Sequence, residues 1–567
     1  MEPSKNIVRT KAQISTNAIE KLYITMRHLF YRGSFKPMGI SGETLCESLL
    51  ALSPEIYGSI AEEKVELKGL LYVIERLPFG IEQCRYINLT SEEGYHKSHF
   101  KPIVPPKRKR NCYRIDEEQM NIEITRSRSD IYDILTHLTF MFIESHKIRK
   151  RVLSPENHEI TRDWKKIEQI ILSKKKLSLL DREKAISHMA LILGRTFEDV
   201  FSIYDEFSLP NNPDQLLHII YWLGKIAIEE VVDQNYRVIT FSPILRERLG
   251  HHIHSETWAI NIKEKLKEHQ LLQRPLHIVS ANMHSVMNSI FATKELTGIS
   301  VEADDNFYIY RELSNPANQT LRKQVEDLAI LQGMIFLEDK SGANIDVQII
   351  DTAQIDFSKT NFPEVQLGVA KPVIIVMDYA FGEQAYETVD ELLKPYKNDD
   401  GTRTFLKVES VSIMGKAGIL AGEKGDILIP NAHINEGTAD NYPFKNELKA
   451  EMFKNNGLTV FEGPMVTVLG TSLQNKDLLK FFHESTWKAI GLEMEGAHYQ
   501  KAVQAASQIR KSINPHVKVR YAYYASDNPL QTGSTLASGG LGFTGVKPTY
   551  LITIKILEQI LNIKHIN

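Results

Sequence analysis

Two glutamates on either side of Met494 form the first candidate site in this sequence. Glu493 and Glu495 lie in an otherwise small and apolar stretch, residues 490–499, where a carboxylate is costly to bury without a partner. Residues two apart in an extended chain point to the same side, so both carboxylates can accept hydrogen bonds from the two hydroxyls of a vicinal diol. The alternative is that these acids begin a helix, where the helix dipole favours negative charge.

An aspartate at the end of a predicted strand is the second candidate. Asp527 follows the apolar run VRYAYYA and precedes Asn528 and Pro529. A carboxyl group in an apolar cleft has a raised pKa and can donate a proton near neutral pH. The alternative is that Asp527 caps the turn at the proline.

A glycine-rich segment follows another apolar run. Residues 415–425 read GKAGILAGEKG, and glycine lets the backbone approach a ligand closely. The segment has neither the P-loop pattern G-x-x-x-x-G-K-[ST] nor the dinucleotide pattern G-x-G-x-x-G. We expect these glycines to form a turn. A glycine-rich turn without a nucleotide-binding pattern indicates a structural role.

Composition and charge exclude several classes of protein. The 567 residues predict two or three domains, and the net charge of −3 gives no general attraction to nucleic acid or membrane. Three cysteines without C-x-x-C spacing argue against a disulfide scaffold or zinc site, and the histidines of residues 251–254 fit no standard metal spacing. The N-terminus lacks the apolar core of a signal peptide. We expect a cytoplasmic protein without metal, cofactor, nucleic-acid partner or membrane partner.

The first half of the chain is predicted to be mainly helical. Apolar residues recur at helical spacing in four segments, residues 16–30, 131–148, 184–193 and 214–232. Prolines and a KRKR run predict a loop or linker over residues 99–116. This run can contact phosphate, although a solvated surface turn is favoured for one short run in a near-neutral chain. We expect a mainly α-helical accessory domain over residues 1–250, with residues 100–115 as a candidate internal break.

The second half alternates predicted strands with predicted helices. Seven short β-branched runs begin at Leu276, Val347, Lys371, Val408, Gly425, Gly463 and Val519. Helical segments such as residues 382–396 and 496–512 lie between them. This alternation predicts an α/β fold with a largely parallel central sheet. Such folds bind ligands at the carboxyl ends of their strands, which is where Asp527 and the glycine-rich segment lie.

In their order along the chain, these segments resemble the purine nucleoside phosphorylase and nucleosidase superfamily. The glycine-rich segment with GDILIP is followed by GPMVTV, then LEMEGA, then ASDNPL. Within the superfamily the chain is most similar to the AMP nucleosidases, through IMGKAGIL and ASDNPLQTG. The resemblance covers roughly residues 276–567. It implies a catalytic domain whose nucleoside-phosphorylase-like central sheet is flanked by helices and preceded by the mainly helical domain.

The resemblance also implies a role for each candidate residue. Glu495 would bind the ribose 2′- and 3′-hydroxyls, with Glu493 assisting and Met494 packing against the sugar. Asp527 would protonate or hydrogen-bond N7 of the purine, supported by Ser526. The residues that would line the base are Gly415, Lys416, Gly418, Val466 and Thr467.

Two departures from the family pattern bear on the predicted reaction. Phosphorylases of the superfamily bind phosphate with an arginine in the central strand and a serine in the following turn. Here residues 412–416 read SIMGK, so the arginine is missing and Lys416 stands in place of the serine. We therefore expect hydrolysis, with Lys416 available to a nucleotide 5′-phosphate. Small nucleosidases also carry an acid after their first strand, where Asn282 or His284 would have to activate water instead.

The sequence therefore predicts an N-glycosidase that acts on a purine nucleotide or nucleoside, with AMP as the first guess. Because members of the superfamily form dimers or larger rings, the resemblance implies a homo-oligomer. Two alternatives stay open, a purine nucleoside phosphorylase and a sensor that binds a nucleotide without turnover.

Overall fold

The computed structural model describes residues 9–173, 176–298, 307–531 and 542–563, and the chain divides into two compact units. The first unit comprises the described residues of Met1–Thr125, Asp130–His251 and Ser472–Leu478. The second comprises those of Arg126–Ser129, His252–Thr471 and Leu479–Asn567.

The N-terminal half is mainly helical, as predicted. Its helices are α1 (Lys11–Arg32), α2 (Ile40–Leu52), α3 (Leu67–Ile74), α4 (Arg128–Val152), α5 (Arg162–Leu172), α6 (Leu179–Leu193), α7 (Phe197–Tyr204), α8 (Gln215–Val232) and α9 (Pro243–Gly250). The four predicted helical segments correspond to α1, α4, α6 and α8. Apolar periodicity located these four because each buries one face along several turns.

The first unit also contains a five-stranded sheet that the sequence analysis did not predict. Its strands are β1 (Ser34–Phe35), β2 (Tyr86–Thr90), β3 (Cys112–Arg114), β4 (Gln119–Glu123) and β5 (Val238–Phe241), in the order β1-β5-β2-β4-β3. These strands have two to five residues. Tyr86 of β2 pairs with Val238 of β5, so the pairing depends on residues far apart in sequence.

The KRKR run forms buried ion pairs in this unit. Arg108 Nη2 lies 2.6 Å from Asp133 Oδ1, and Arg110 Nη2 lies 2.7 Å from Asp133 Oδ2. The side chain of Arg110 is only 2% exposed. The favoured interpretation as a solvated turn was therefore wrong for both arginines, because Asp133 of α4 supplies a buried counter-charge.

The second unit holds the remaining elements. Its helices are α10 (Ile253–Glu268), α11 (Met283–Phe291), α12 (Lys294–Thr297), α13 (Tyr308–Ser314), α14 (Gln319–Leu331), α15 (Gln384–Leu392), α16 (Lys476–Glu484, of which the first three residues belong to the first unit), α17 (Gly496–Gln504) and α18 (Val546–Ile560). Its strands are β6 (Pro275–Ser280), β7 (Met334–Leu337), β8 (Val347–Asp351), β9 (Val373–Met377), β10 (Tyr396–Lys397), β11 (Arg403–Thr404), β12 (Lys407–Ile419), β13 (Ile427–Asn435), β14 (Asn441–Pro443), β15 (Val460–Thr467), β16 (Gly491–Glu493) and β17 (Lys518–Asp527). Among the described residues, no helix is long and apolar enough to cross a membrane.

Strand β12 organises a ten-stranded sheet. Along one edge it pairs in parallel with β17. Along the other it pairs first with β6 and then, at Gly418 and Ile419, with β16 in the antiparallel sense. Because β17 also pairs with β13, and β15 lies between β13 and β16, these five strands close into a ring.

The sheet is mixed both inside and outside the closed ring. In the described part of the sheet, five pairings are parallel and five are antiparallel. The prediction of a largely parallel sheet was wrong, because the ring closes through the antiparallel pairs β13–β17 and β12–β16. Outside the ring, β13–β14, β7–β8 and β8–β9 are antiparallel as well. The mixed α/β class itself is confirmed, and all seven predicted runs form strands.

Helices cover both faces of this sheet with separate apolar cores. One core joins the sheet to α10, α15 and α17 through residues such as Trp258, Val389 and Val503. The other joins it to α11 and α18 through residues such as Phe291 and Ile552. Helices therefore pack on both faces of the sheet that contains β12.

Candidate active site

The carboxyl end of β12 lies between the two predicted acidic segments. Gly418 pairs with Leu492 of β16 on one side and with Asp527 of β17 on the other. Neighbouring strands are about 4.8 Å apart, so these segments lie side by side across a single strand. The structure brings together Glu493, Met494, Glu495, Ser526 and Asp527.

The carboxylate of Glu493 is satisfied inside the protein. Its Oε1 accepts a hydrogen bond from Thr467 Oγ1 at 2.5 Å. Its Oε2 accepts from the backbone N–H of Glu495 at 2.5 Å and from that of Gly496. Burial raises the pKa of this carboxyl, but hydrogen bonds and charge from His433 and Thr467 outweigh burial, so the net pKa is lowered.

Glu493 therefore takes the helix-capping role that the sequence left as an alternative. The extended conformation ends with β16 at Glu493, and α17 begins at Gly496. The strict alternation that would present both carboxylates to one side does not continue. Glu495 instead accepts a hydrogen bond from a different donor, the N–H of Gly382.

The residues around Glu493 are packed without spare space. A Cβ atom on Gly496 would lie 2.3 Å from His433 Cε1, and His433 is fully buried with Nδ1 3.5 Å from Glu493 Oε1. Thr467 and Val466, both expected to line the base, are each 1% exposed. The Thr467 hydroxyl is engaged with Glu493 and accepts from the N–H of Ala497 at 2.9 Å. No sequence signal pointed to His433.

The environment of Glu495 raises the pKa of its carboxyl group. Burial and the negative charge of Glu493 raise the pKa of this carboxyl from 4.5 to about 8, although the Gly382 N–H and the Lys416 charge oppose the rise. Its Oε1 accepts the Gly382 N–H at 3.0 Å. Strongly shifted pKa values of this kind are concentrated at functional sites. Gly382 was not among the predicted site residues, although its place just after a predicted strand was an available signal.

Asp527 is held by a β-bulge at the end of β17. Ala417 pairs with Ala525 and Gly418 pairs with Asp527, so Ser526 is the extra residue of the bulge. The Ser526 hydroxyl donates to Asp527 Oδ1 at 2.6 Å, whereas Oδ2 is buried without a hydrogen-bond partner among the described residues. The following turn is capped instead by Asn528 Oδ1, which accepts from the N–H of residue 530 at 2.9 Å.

The electrostatic setting of Asp527 suits an acid. Burial raises the pKa of this carboxyl, and the Ser526 hydroxyl and the charge of Lys416 oppose the rise without cancelling it. A carboxyl with a raised pKa and one unpaired oxygen can donate a proton to a ligand.

The first glycines of the glycine-rich segment lie in β12, not in a turn. Gly415, Lys416 and Gly418 are extended, because all three pair with β17 and Gly418 also pairs with β16. A Cβ atom on Gly415 would lie 3.3 Å from the ring of Tyr523. The turn comes later, where Gly425 adopts a φ of +93°.

The side chain of Lys416 is exposed beside both acids. Its positive charge lowers the pKa of Glu495 and that of Asp527, which places the ammonium within electrostatic reach of both. In the described ranges, Lys416 forms neither an ion pair nor a side-chain hydrogen bond. A cation in this position can attract an anionic group of a ligand.

Asn282 and His284 lie at the start of α11, directly after β6. Asn282 Oδ1 accepts the N–H of His284 at 3.0 Å and so caps the helix. The side chain of His284 is exposed and lines a cavity of about 780 Å³ together with residues of α14. Within the described part of the chain, neither side chain is hydrogen-bonded to Glu495 or Asp527.

Comparison with known proteins identifies the family. The model of a family of unknown function, DUF6909, matches residues 43–301 and 300–562, so the chain belongs to that family. No curated protein matches the sequence.

Several solved structures resemble part of the chain at low identity. The 5′-methylthioadenosine/S-adenosyl homocysteine nucleosidase of Campylobacter jejuni is 12% identical, with a TM-score of 0.30, over 51% of this chain and 100% of that one. The futalosine hydrolase of Helicobacter pylori is 14% identical, with a TM-score of 0.29, over 51% and 99%. The uridine phosphorylase of Schistosoma mansoni is 13% identical, with a TM-score of 0.31, over 54% and 92%. At this level of similarity, no activity or substrate passes from these proteins to the present chain.

Proposed function

We propose that this protein is an N-glycosidase that hydrolyses the bond between a purine base and its ribose. The observation that carries the proposal is the setting of Asp527, a buried acid with a raised pKa and an unpaired oxygen at a bulged strand end. Across β12, Glu495 supplies a second acid with a shifted pKa. The resemblance of the E-M-E and S-D segments to nucleosidases supports the same assignment.

The chemistry of the reaction matches the two acids. When the glycosidic bond breaks, positive charge develops on the ribose and negative charge on the leaving base. In its ionised form, which predominates above its pKa of about 8, Glu495 would accept hydrogen bonds from the 2′- and 3′-hydroxyls and stabilise the positive charge. Asp527 would donate its proton to N7, and a general acid of this kind contributes about 10²- to 10⁴-fold to the rate. Water then bonds to C1′ through its oxygen, and the proton that it releases replaces the one that Asp527 gave to the base.

The proposed substrate is a nucleotide, with AMP tested first. Lys416 is exposed beside both acids and has no counter-ion among the described residues. Its ammonium could bind the 5′-phosphate of AMP. The missing arginine at residues 412–416 favours hydrolysis over phosphorolysis. In this proposal His284 or Asn282 positions the attacking water, because both follow β6, the neighbour of β12.

Release of free base is the test. The purified protein is incubated with AMP, adenosine, inosine, guanosine and methylthioadenosine, with and without phosphate, and the products are separated by chromatography. Free base and ribose or ribose 5-phosphate without added phosphate would support the proposal and identify the substrate. Base release only with phosphate, as ribose 1-phosphate forms, would establish a phosphorylase instead. Binding without base release under any condition would overturn the catalytic proposal in favour of a sensor.

A further inference from the structure

Four residues from the first half of the sequence belong to the second unit. Arg126–Ser129, with the sequence RSRS, is assigned to this unit, although the residues on both sides belong to the first. The segment contacts the turn after β9, residues 381–383. This turn supplies the N–H that binds Glu495.

Three residues of the segment bind the two ends of the turn, Phe381 and Glu383. Ser129 Oγ accepts the N–H of Glu383 at 2.9 Å, and Arg128 Nε donates to Glu383 Oε2 at 3.0 Å. The Ser127 hydroxyl donates to the carbonyl oxygen of Phe381 at 3.5 Å. Ser127 and Ser129 are buried, with exposed fractions of 0% and 5%. Polar groups removed from water in this way hold a turn in one geometry.

Gly382 is shaped to fit against Ser129. It has a φ of +56°, and a Cβ atom at this position would lie 2.4 Å from Ser129 Oγ. Its own N–H then donates to Glu495 Oε1 at 3.0 Å. A continuous chain of contacts therefore runs from Ser129 through the turn to the carboxylate of Glu495.

We propose that Ser129 and Arg128 are positioning residues for Glu495. They fix the turn so that the Gly382 N–H points at the carboxylate and favours its ionised form. Fixing Glu495 in this way does not depend on which reaction the site performs. Its consequence for catalysis rests on the proposed N-glycosidase function.

Arg128 has a second electrostatic role, which makes Ser129 the cleaner position to test. Glu387 is buried on α15 and lies 3.9 Å from His252 Nε2. Burial and the charge of Glu383 raise its pKa, whereas the charge of Arg128 opposes the rise. Removing the arginine charge would therefore disturb two carboxyl groups besides Glu495. Ser129→Ala removes only the acceptor that holds the turn.

The test measures the titration of Glu495 without requiring activity. The thermal unfolding temperature is followed from pH 4 to pH 10 for four forms of the full chain: wild type, Glu495→Gln, Ser129→Ala and the double variant. In each background, the difference between the form that keeps Glu495 and the form that carries Glu495→Gln isolates the contribution of this carboxyl. Because its folded pKa lies above its unfolded pKa, the contribution falls with rising pH and levels off near the folded pKa. In Ser129→Ala this levelling should move to higher pH by about one unit, since a hydrogen bond to the charged form is lost.

Two further variants make the result specific. Ser507→Ala removes another buried hydroxyl of the same unit, which donates to the carbonyl oxygen of Val503 at 2.7 Å, and should leave the levelling pH unchanged. Arg128→Lys keeps the charge but removes the Nε–H bond, and should move the levelling pH in the same direction as Ser129→Ala. If Ser129→Ala does not fold, the levelling pH of Arg128→Lys tests the proposal in its place. An unchanged levelling pH in the folded variants, or an equal shift in Ser507→Ala, would overturn the proposal.

Kinetics separate this proposal from the proposed function. If the wild type releases base, Ser129→Ala should lower kcat/KM about tenfold, as misplacement of a catalytic group does. The acidic limb of its pH profile should then move to higher pH together with the levelling pH. If the wild type releases no base, the N-glycosidase proposal fails, while the unfolding measurement still decides whether Ser129 positions Glu495.

Discussion

Two glutamates that lie two residues apart have opposite electrostatic settings. Glu493 has a lowered pKa, because His433, Thr467 and backbone N–H groups offset its burial. The pKa of Glu495 is raised to about 8 by burial and by the charge of Glu493. Carboxyl groups whose environments push their pKa values apart commonly have different roles. Here one builds the start of α17, and the other is available to a ligand.

The raised pKa of Glu495 predicts a particular dependence of stability on pH. A carboxyl with a usual pKa of 4.5 and a folded pKa of about 8 binds more protons in the folded state between these values, so it lowers stability as pH rises through that window. Glu495→Gln should therefore gain stability relative to the wild type between pH 5 and pH 9. One pKa unit corresponds to about 1.4 kcal/mol. Solvent screens the partly exposed side chain and reduces the effect of the shift, so we expect a gain in the free energy of unfolding of about 2 kcal/mol.

Urea unfolding at several pH values measures this gain. Glu409→Gln is a control for the loss of a carboxyl group at an exposed position of the same sheet. A constant difference between Glu495→Gln and the wild type from pH 5 to pH 9 would show that the pKa of Glu495 is not raised.

Two tyrosines of β17 offer a matched pair of variants. The Tyr521 hydroxyl donates to Gln500 Oε1 at 3.0 Å, whereas the Tyr523 hydroxyl is buried without a partner among the residues described. Tyr521→Phe leaves a buried acceptor unpaired and should cost about 1–2 kcal/mol. Tyr523→Phe should cost less than about 0.5 kcal/mol, because no hydrogen bond is lost. Equal losses in chemical denaturation would contradict the different pairing of the two hydroxyls.

At the scale of elements, local pattern located the strands but not their pairing. All seven β-branched runs form strands, because each one is buried in the sheet. The glycine-rich segment was misjudged at Gly415 and Gly418. Glycine at these positions indicates close packing, with the Tyr523 ring against Gly415, as well as it indicates a turn. The ring of strands could not be predicted, because it depends on β12 changing partner from β6 to β16.

The acids of the candidate site could be predicted from the sequence, but the residues that hold them in place could not. Asp527 stood out by residue type and by its place after a predicted strand, and Glu495 stood out as one of two acids in an apolar stretch. The contacts that hold them come from residues distant in sequence. His433 lies 60 residues before Glu493, and Ser129 Oγ binds the N–H of a residue 254 positions later. No local pattern reports such contacts.

The start of α17 supplies a prediction at the element scale. Gly496→Ala places a Cβ atom 2.3 Å from a buried histidine ring, so the helix start or His433 must shift. Overpacking of this kind costs about 1–3 kcal/mol, and the shift should displace Glu495. Gly368→Ala is the control, since a Cβ atom there meets no other atom within 4 Å. Urea midpoints that fall equally in both variants would contradict the packing described around Glu493.

At the scale of the whole molecule, the candidate site belongs to one compact unit. All its residues lie in the second unit, including the segment Arg126–Ser129 that comes from the first half of the sequence. These four residues could not be assigned from the sequence to the unit with the acids, because RSRS has no apolar periodicity and contains neither glycine nor proline. The homo-oligomeric state implied by the resemblance stays a prediction.

The central claim is that Asp527 assists departure of a purine base, and base release by one pair of variants tests it most directly. Asp527→Asn is compared with Asp351→Asn, because Asp351 also ends a strand and is buried, but pairs with Arg274 near the start of β9. Both variants and the wild type are incubated with AMP in phosphate-free buffer, and free adenine is measured. We expect release by the wild type and by folded Asp351→Asn, and a loss of about 100-fold or more in Asp527→Asn. Undiminished release by Asp527→Asn would contradict the account.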